Sequence, residues 1–242
     1  MNVRITVQHY WRIAVDYLKQ DRESQIILVV LFLLVVGGGG YKGYHWYIVQ
    51  RSQKAQQAFA ASLDVYQQAL STQCDAKAQP SDKKSLWEQV EVDAQHAISQ
   101  HKGTSFVPFF TAFLAQAQLY KGNRDEAIET MRQAIRGMDA KVGYKNLYQV
   151  TLDLMLLDGS AEQKKEAHDD LQTIAADTKN SAQDMALYYL GLDYFIVGER
   201  KKAFEYWHQA QSLPSEYPDL PPAQSPWQQL AAAKLTEFGF DA

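Results

Sequence analysis

The chain has 242 residues, of which 46% are hydrophobic and 21% are charged, and its formal net charge is −4. This composition argues against a disordered chain and against a polytopic membrane protein, and it favours one folded, mostly water-soluble body with an appendage. The negative charge argues against nucleic-acid binding, because neutralising phosphates requires a surplus of Lys and Arg on one face. The single cysteine, Cys74, cannot form an intramolecular disulfide and has no metal-binding spacing.

The first predicted element is a membrane-spanning helix over residues 25–49. Residues 26–36 read IILVVLFLLVV, eleven apolar residues in a row, and an aromatic-rich stretch follows four glycines. The whole stretch has about the length of a bilayer, and Tyr and Trp near one end are typical of the membrane interface. Two alternatives are less consistent with the sequence. A cleaved signal peptide lacks an Ala-x-Ala-like site, and a buried core helix would need less polar neighbours.

Two glycines of this segment, Gly39 and Gly43, form a GxxxG motif. Such a motif lets two membrane helices approach closely, so both are candidate helix-packing residues. A phosphate-binding loop is excluded here, because Lys42 is followed by Gly43 rather than by Ser or Thr. The basic residues around the span favour a cytoplasmic N-terminus only slightly.

From residue 50 to residue 242 the apolar residues recur with a helical period, and no strand is predicted. A polar loop over Cys74–Asp82 separates the first two helices, and Ser85 with Glu88 predicts a capping box at the start of the second. Further start signals are Asn123 with Glu126, Ser160 with Gln163, Ser181 with Asp184, and Ser225 with Gln228. Glycines that punctuate helix ends are Gly103, Gly122, Gly137, Gly159 and Gly198.

Two segments of this body match the spacing of the tetratricopeptide pattern, in which small residues let paired helices touch. A degenerate hairpin is predicted between them, with its turn at residues 158–160, and a closing helix over 226–238 follows the last repeat. We therefore predict an all-α protein in which a single N-terminal transmembrane helix precedes an α-solenoid of tetratricopeptide-like helical hairpins. The better match comprises Leu190, Gly191, Tyr194, Gly198, Ala203, Trp207, Ala210 and Pro214, and the other Leu114, Ala115, Gly122, Ala127, Met131, Ala134 and Ile135, with Gln118 at a position that prefers an aromatic residue.

This organisation resembles the family of ancillary subunits of the bacterial Sec translocon (YfgM-like). The likeness lies in the amphipathic lead within residues 1–24, the span with its Gly43, Tyr44 and Trp46 exit, the junction 101–105 and the repeat from Leu114 to Ile135. The resemblance implies a single-pass protein of the bacterial inner membrane with a cytoplasmic N-terminus and a periplasmic repeat domain. It also implies two kinds of partner: subunits of the translocon and a membrane-anchored, prolyl-isomerase-like chaperone.

The first helix of each repeat hairpin supplies the inner face of a solenoid, and this face is where a protein partner is expected to bind. The alternative reading is that aromatic residues at helical spacing fill the core. The candidate partner-binding residues are Phe109, Gln116 and Tyr120 in one hairpin and Tyr188, Leu192 and Phe195 in another.

No catalytic, cofactor-binding or metal-binding residues are predicted. The six histidines include no HExxH motif, and the chain has no GxSxG elbow. Asp169 and Asp170 are interpreted as part of a solvated face rather than as an acid and base pair. Two functions remain: an accessory factor for secretion and envelope chaperoning, or a structural scaffold for envelope or division machinery that handles no client. Self-association as a homo-oligomer is left open.

Overall fold

The computed structural model of the chain describes residues 22–139, 143–214 and 225–238, with side chains from residue 41 onward. Within these ranges all regular structure is α-helical and no strand occurs, which confirms the predicted all-α class. The helices are α1 (Arg22–Cys74), α2 (Pro80–Gln100), α3 (Val107–Tyr120), α4 (Arg124–Gly137), α5 (Tyr144–Leu157), α6 (Ala161–Ala176), α7 (Gln183–Ile196), α8 (Arg200–Ser212) and α9 (Pro226–Glu237).

The chain forms two compact units, Met1–Lys54 and Ala55–Ala242. The predicted amphipathic segment lies outside the described residues as far as position 21, and so do the side chains of the predicted span up to position 40. Over the part of the chain that the structure describes, no helix combines the length and the apolar character needed to cross a bilayer.

The helices of the second unit pack mainly against their neighbours in sequence. Each helix from α2 to α8 contacts the next one along the chain. In addition, α5 contacts α7, and α7 contacts α9. Three-residue connections at 121–123, 158–160 and 197–199 join α3 to α4, α5 to α6 and α7 to α8. Connections this short make the two helices of each pair antiparallel. A succession of hairpins that each touch their neighbours is consistent with an α-solenoid.

Glycines and side-chain caps end and begin several helices as the sequence predicts. Gly122 and Gly198 have φ values of 91° and 87°, a left-handed conformation that costs glycine little and other residues more. The predicted capping boxes at Ser160 and Ser225 are confirmed. Each serine side chain accepts from the backbone N–H of the glutamine three residues later, and the side chain of that glutamine accepts from the backbone N–H of the serine. These polar contacts satisfy backbone donors that a helix start would otherwise leave unpaired.

The predicted start at Asn123 is confirmed, since Asn123 is the N-cap residue of α4, but two other predicted helix starts are wrong. Ser85 lies inside α2, because the helix already begins at Pro80. Proline suits this position, since the backbone N–H that it lacks would be unpaired in the first turn of any helix. The loop predicted over Cys74–Asp82 is accordingly shorter, since α1 continues to Cys74. Before α7, Ser181 is not the cap: the N-cap position is Ala182, without a side-chain cap, and Oδ1 of Asn180 accepts from the backbone N–H of Ala182 at 3.1 Å in a local turn.

Three hydrophobic clusters follow one another along the second unit. The first surrounds Trp87 and Phe113 between α1, α2 and α3, and the second surrounds Met131 and Leu156 between α3 and α6. The third surrounds Trp207 and extends from α5 to α9. Each cluster joins successive hairpins, so burial of apolar surface links each hairpin to the next.

Within the third cluster, Gly191 of α7 allows α8 to approach closely. A Cβ atom at this position would lie 2.4 Å from Nε1 and 2.5 Å from Cδ1 of Trp207. The Trp207 side chain is fully buried, and its Nε1 donates to the backbone oxygen of Tyr188 at 3.1 Å. The small residue and the large residue of the repeat pattern therefore contact each other directly.

Candidate functional site

An apolar groove in the second unit is the principal candidate site, and we call it the aromatic groove. It has a volume of about 560 Å³. Helices α1, α3 and α5, the last residue of α4, and the connections before α3 and after α4 contribute to its wall. The lining residues are Phe59, Ser105, Phe106, Phe109, Gly137, Met138, Asp139, Tyr144, Lys145 and Tyr148.

Phe109 lies at the centre of the aromatic groove. Its ring centroid is 5.7 Å from that of Phe59 and 6.4 Å from that of Phe106. On the other side, the rings of Tyr144 and Tyr148 lie 6.4 Å and 6.0 Å away. The two tyrosines share one face of α5 because they are four residues apart. Phe109, one of the residues predicted from the sequence, thus joins the three helices that form the wall.

The wall of the groove is anchored in the core through Phe59. Its ring stacks on Phe113 with a centroid distance of 5.6 Å and an interplanar angle of 11°, and it meets Phe110 at 6.1 Å. Phe110 and Phe113 are both buried. Aromatic pairs at these distances add to the stability gained from burial, so the rings form a preformed surface.

The groove presents rings and hydroxyl groups with little ionic character. Burial raises the pKa of Tyr148 to about 12, so its hydroxyl is neutral and can both donate and accept hydrogen bonds. Tyr144 is 60% exposed and forms the outer part of the wall. The ionisable side chains of opposite charge, Asp139 and Lys145, complete the lining.

A second group of aromatic rings lies beside the groove and includes Tyr120, another predicted residue. Tyr120 is exposed and stacks on the buried Trp87 at a centroid distance of 4.2 Å. Tyr66 stacks on Phe113 at 4.6 Å and meets Trp87 edge-on at 5.9 Å. Burial, followed by the nearby hydroxyls of Tyr120 and Tyr148, raises the pKa of Tyr66. Tyr66 is therefore the link between the aromatic groove and Tyr120.

The remaining predicted residues lie elsewhere. Gln116 is half-buried on α3, and Leu192 is half-buried against the third core cluster. Tyr188 is 8% exposed and packs on Trp227 of α9. Phe195 contacts Trp207 and Phe238 at 5.7 Å and 4.4 Å. The structure thus joins Phe109 and Tyr120 in one aromatic region and puts Tyr188 and Phe195 against the closing helix; a role for any of them in partner binding stays a prediction.

The predicted membrane helix-packing residues belong to the first unit. No atom outside the local backbone comes within 4 Å of a Cβ position at Gly43. Gly39 precedes residue 41, from which side chains are described, so its surroundings lie outside the described part of the chain. Helix pairing through these glycines stays a prediction.

The solvated face predicted at Asp169 and Asp170 is wrong for the second residue. Asp169 is exposed, but Asp170 is half-buried and its Oδ2 accepts from Nε2 of Gln149 at 3.2 Å. The same Nε2 donates to Oδ1 of Asp153, a fully buried carboxyl. Among the residues that the structure describes, no group of three or more His, Cys, Asp and Glu side chains is arranged to hold a metal ion.

Sequence reasoning missed most of the aromatic groove. Phe59, Tyr144 and Tyr148 are not among the residues predicted from the sequence, although the spacing of four residues between the two tyrosines marks a shared helix face. Phe106 precedes α3, where helical periodicity carries no information. Comparison with known proteins gives no further guide to this site: no protein-family model, no curated protein and no solved structure matches the chain.

Proposed function

We propose that this chain is a membrane-anchored scaffold that binds a segment of another polypeptide in the aromatic groove and performs no chemistry on it. The observation that carries the proposal is the groove itself, in which rings from α1, α3 and α5 surround a space of about 560 Å³. Apolar grooves with a few polar groups are the usual form of a peptide-binding or small-molecule site.

The chemistry of the groove favours an apolar or aromatic side chain as its occupant. Burying one aromatic side chain removes about 150–250 Å² from water, which corresponds to about 4–6 kcal/mol. Association costs at least about 4 kcal/mol in lost rigid-body freedom. A single inserted residue therefore gives weak binding, and a tether that raises the effective concentration of the partner would compensate.

Anchoring to a membrane would supply such a tether. The apolar run at 26–36 and the aromatic residues that follow it support an anchor over residues 25–49. Phe59 follows the end of this stretch by only ten residues. We therefore propose that an anchor confines this chain and its partners to the two dimensions of a membrane.

The resemblance to ancillary translocon subunits suggests particular partners. On this proposal the solenoid is tetratricopeptide-like, faces the bacterial periplasm, and binds translocon subunits and an anchored prolyl-isomerase-like chaperone. The alternative is a structural scaffold for envelope or division machinery. Self-association through the same repeats would support that alternative, because it requires no client segment.

Photo-cross-linking in native membranes tests these proposals. p-Benzoyl-phenylalanine at Tyr144 is expected to yield adducts with another polypeptide, and Phe109→Ala is expected to reduce their yield by removing the central ring of the groove. The matched control is the same probe at Val92, which is 63% exposed on α2 and does not line the groove. Equal yields from the two probes would contradict the proposed site, and adducts with copies of this chain alone would favour the structural scaffold.

A further inference from the structure

A buried carboxyl in the α5–α6 hairpin is the starting point. Asp153 of α5 is 0% exposed, and its Oδ1 accepts from Nε2 of Gln149 at 3.2 Å. Its Oδ2 is buried without a hydrogen-bond partner in the structure. The same Gln149 Nε2 lies 3.2 Å from Oδ2 of Asp170 on α6. One amide group therefore bridges two carboxyls on the two helices of the hairpin.

The charges around this pair are mostly negative or already balanced. Asp170 and Glu166, both on α6, act electrostatically on Asp153. Glu166 is paired with Arg132 of α4, whose Nη2 lies 2.7 Å and 3.0 Å from its two oxygens. Between α6 and α7, His168 and Asp193 are paired with each other at 2.7 Å. Arg124 of α4 donates to the backbone oxygens of Met155 and Leu156 and to Oε1 of Gln163, not to Asp153 or Asp170.

A buried carboxylate without a cation is costly, so the folded hairpin favours the protonated form of Asp153. Burial, followed by the charge of Asp170, raises the pKa of Asp153 to about 8. Burial and the charges of Glu166 and Asp169 also raise the pKa of Asp170. Two acids bridged by one amide titrate as a coupled pair, whose two protonation steps belong to the pair.

We propose that the α5–α6 hairpin is a proton-operated element, which is closed while the Asp153–Gln149–Asp170 bridge holds a proton and loosens when both carboxyls are ionised. Loosening would act on the aromatic groove, because α5 also carries Tyr144 and Tyr148; this consequence, unlike the loosening itself, rests on the proposed function. The device requires no ligand, and it responds to a rise in pH from the acidic range up to about pH 8.

Hydrogen exchange of the full-length chain in lipid nanodiscs tests the device. Amide protection in residues 144–157 and 161–176 is compared with protection in α7 and α8 between pH 6 and pH 9, after correction for the intrinsic pH dependence of exchange. If opening releases Asp153 to an ordinary pKa, protection of the hairpin falls about tenfold per pH unit and levels off near pH 8. The fall in protection of the hairpin is measured relative to α7 and α8 of the same molecule, so the wild-type chain provides its own reference.

Variants then assign the effect to Asp153. Asp153→Asn keeps the shape and a polar group but cannot ionise, so it is expected to abolish the relative fall in protection. Asp64→Asn, which changes an exposed aspartate on α1, is the matched control and is expected to retain it. A wild-type hairpin whose protection follows that of α7 and α8 at every pH would overturn the proposal, and so would a fall that persists in Asp153→Asn. The cross-linking experiment tests the groove at a single pH, so its outcome does not depend on whether the hairpin loosens with pH.

Discussion

Replacing Gly191 by alanine tests how closely α7 and α8 are packed. The added methyl group would lie 2.4 Å from Nε1, 2.5 Å from Cδ1 and 2.9 Å from Cε2 of Trp207. Trp207 is fully buried, so its indole has little room to move, and moving it would break the hydrogen bond to the Tyr188 oxygen. Overpacking typically costs about 1–3 kcal/mol and a lost hydrogen bond about 1 kcal/mol.

An opposing effect must be subtracted. Alanine stabilises a helix interior by about 1 kcal/mol relative to glycine. We therefore expect Gly191→Ala to lower the free energy of unfolding by about 1–3 kcal/mol, which is the overpacking cost alone because the other two effects cancel. Urea unfolding of the full-length chain in mild detergent, followed by circular dichroism at 222 nm, measures this change.

A double-mutant cycle isolates the contact. Trp207→Phe removes the indole atoms closest to the new methyl group, so Gly191→Ala should cost at least about 1 kcal/mol less in that background. A stabilised Gly191→Ala variant, or costs that simply add, would refute the view that Gly191 is required by Trp207.

Three further changes have expected outcomes. The pKa of Asp153 is raised from an ordinary 3.8 to about 8, so its contribution to stability is full below pH 4 and is lost as pH rises to 8. Asp153→Asn should therefore remove the fall in the free energy of unfolding between pH 5 and pH 8, measured with urea. A fall equal to that of the wild type would contradict this prediction. Arg124→Ala should cost about 1–3 kcal/mol in thermal unfolding at matched pH, because Nη2 of Arg124 donates to the backbone oxygens of Met155 and Leu156 at the end of α5. An unchanged midpoint would show that water fully replaces the guanidinium group. Ser160→Ala should cost about 1 kcal/mol in the same assay by removing the capping box of α6, whereas Ser160→Gly should cost less.

The repeat spacing was sufficient to predict the contact between α7 and α8. A small residue at Gly191 predicts that the paired helices touch, and the structure adds that the large residue it meets is Trp207 of the same hairpin. The capping boxes at Ser160 and Ser225 were predictable for a similar reason, because each depends on residues only three positions apart.

The aromatic groove depends on contacts that local patterns do not encode. Phe59 and Phe109 are 50 residues apart in the sequence, and the ring of Tyr148 reaches Phe109 only because α3 and α5 are both first helices of adjacent hairpins. The buried Asp153 lies among leucines in a helix that reads as core, and nothing in its neighbours predicts that Gln149 and Asp170 would meet it. Burial and pairing of polar groups are tertiary properties, so residue spacing alone could not predict this site.

The closing helix α9 covers apolar surface that the preceding hairpin would otherwise expose. Trp227 of α9 covers Tyr188 and Tyr189, and Nε2 of Gln228 donates to the Leu213 oxygen at 2.9 Å. A stack of repeats with a bare final layer would offer that layer to the next molecule and could grow into an open filament. Here the chain's own α9 covers the apolar surface of α7 and α8, so that surface is not available to a second copy.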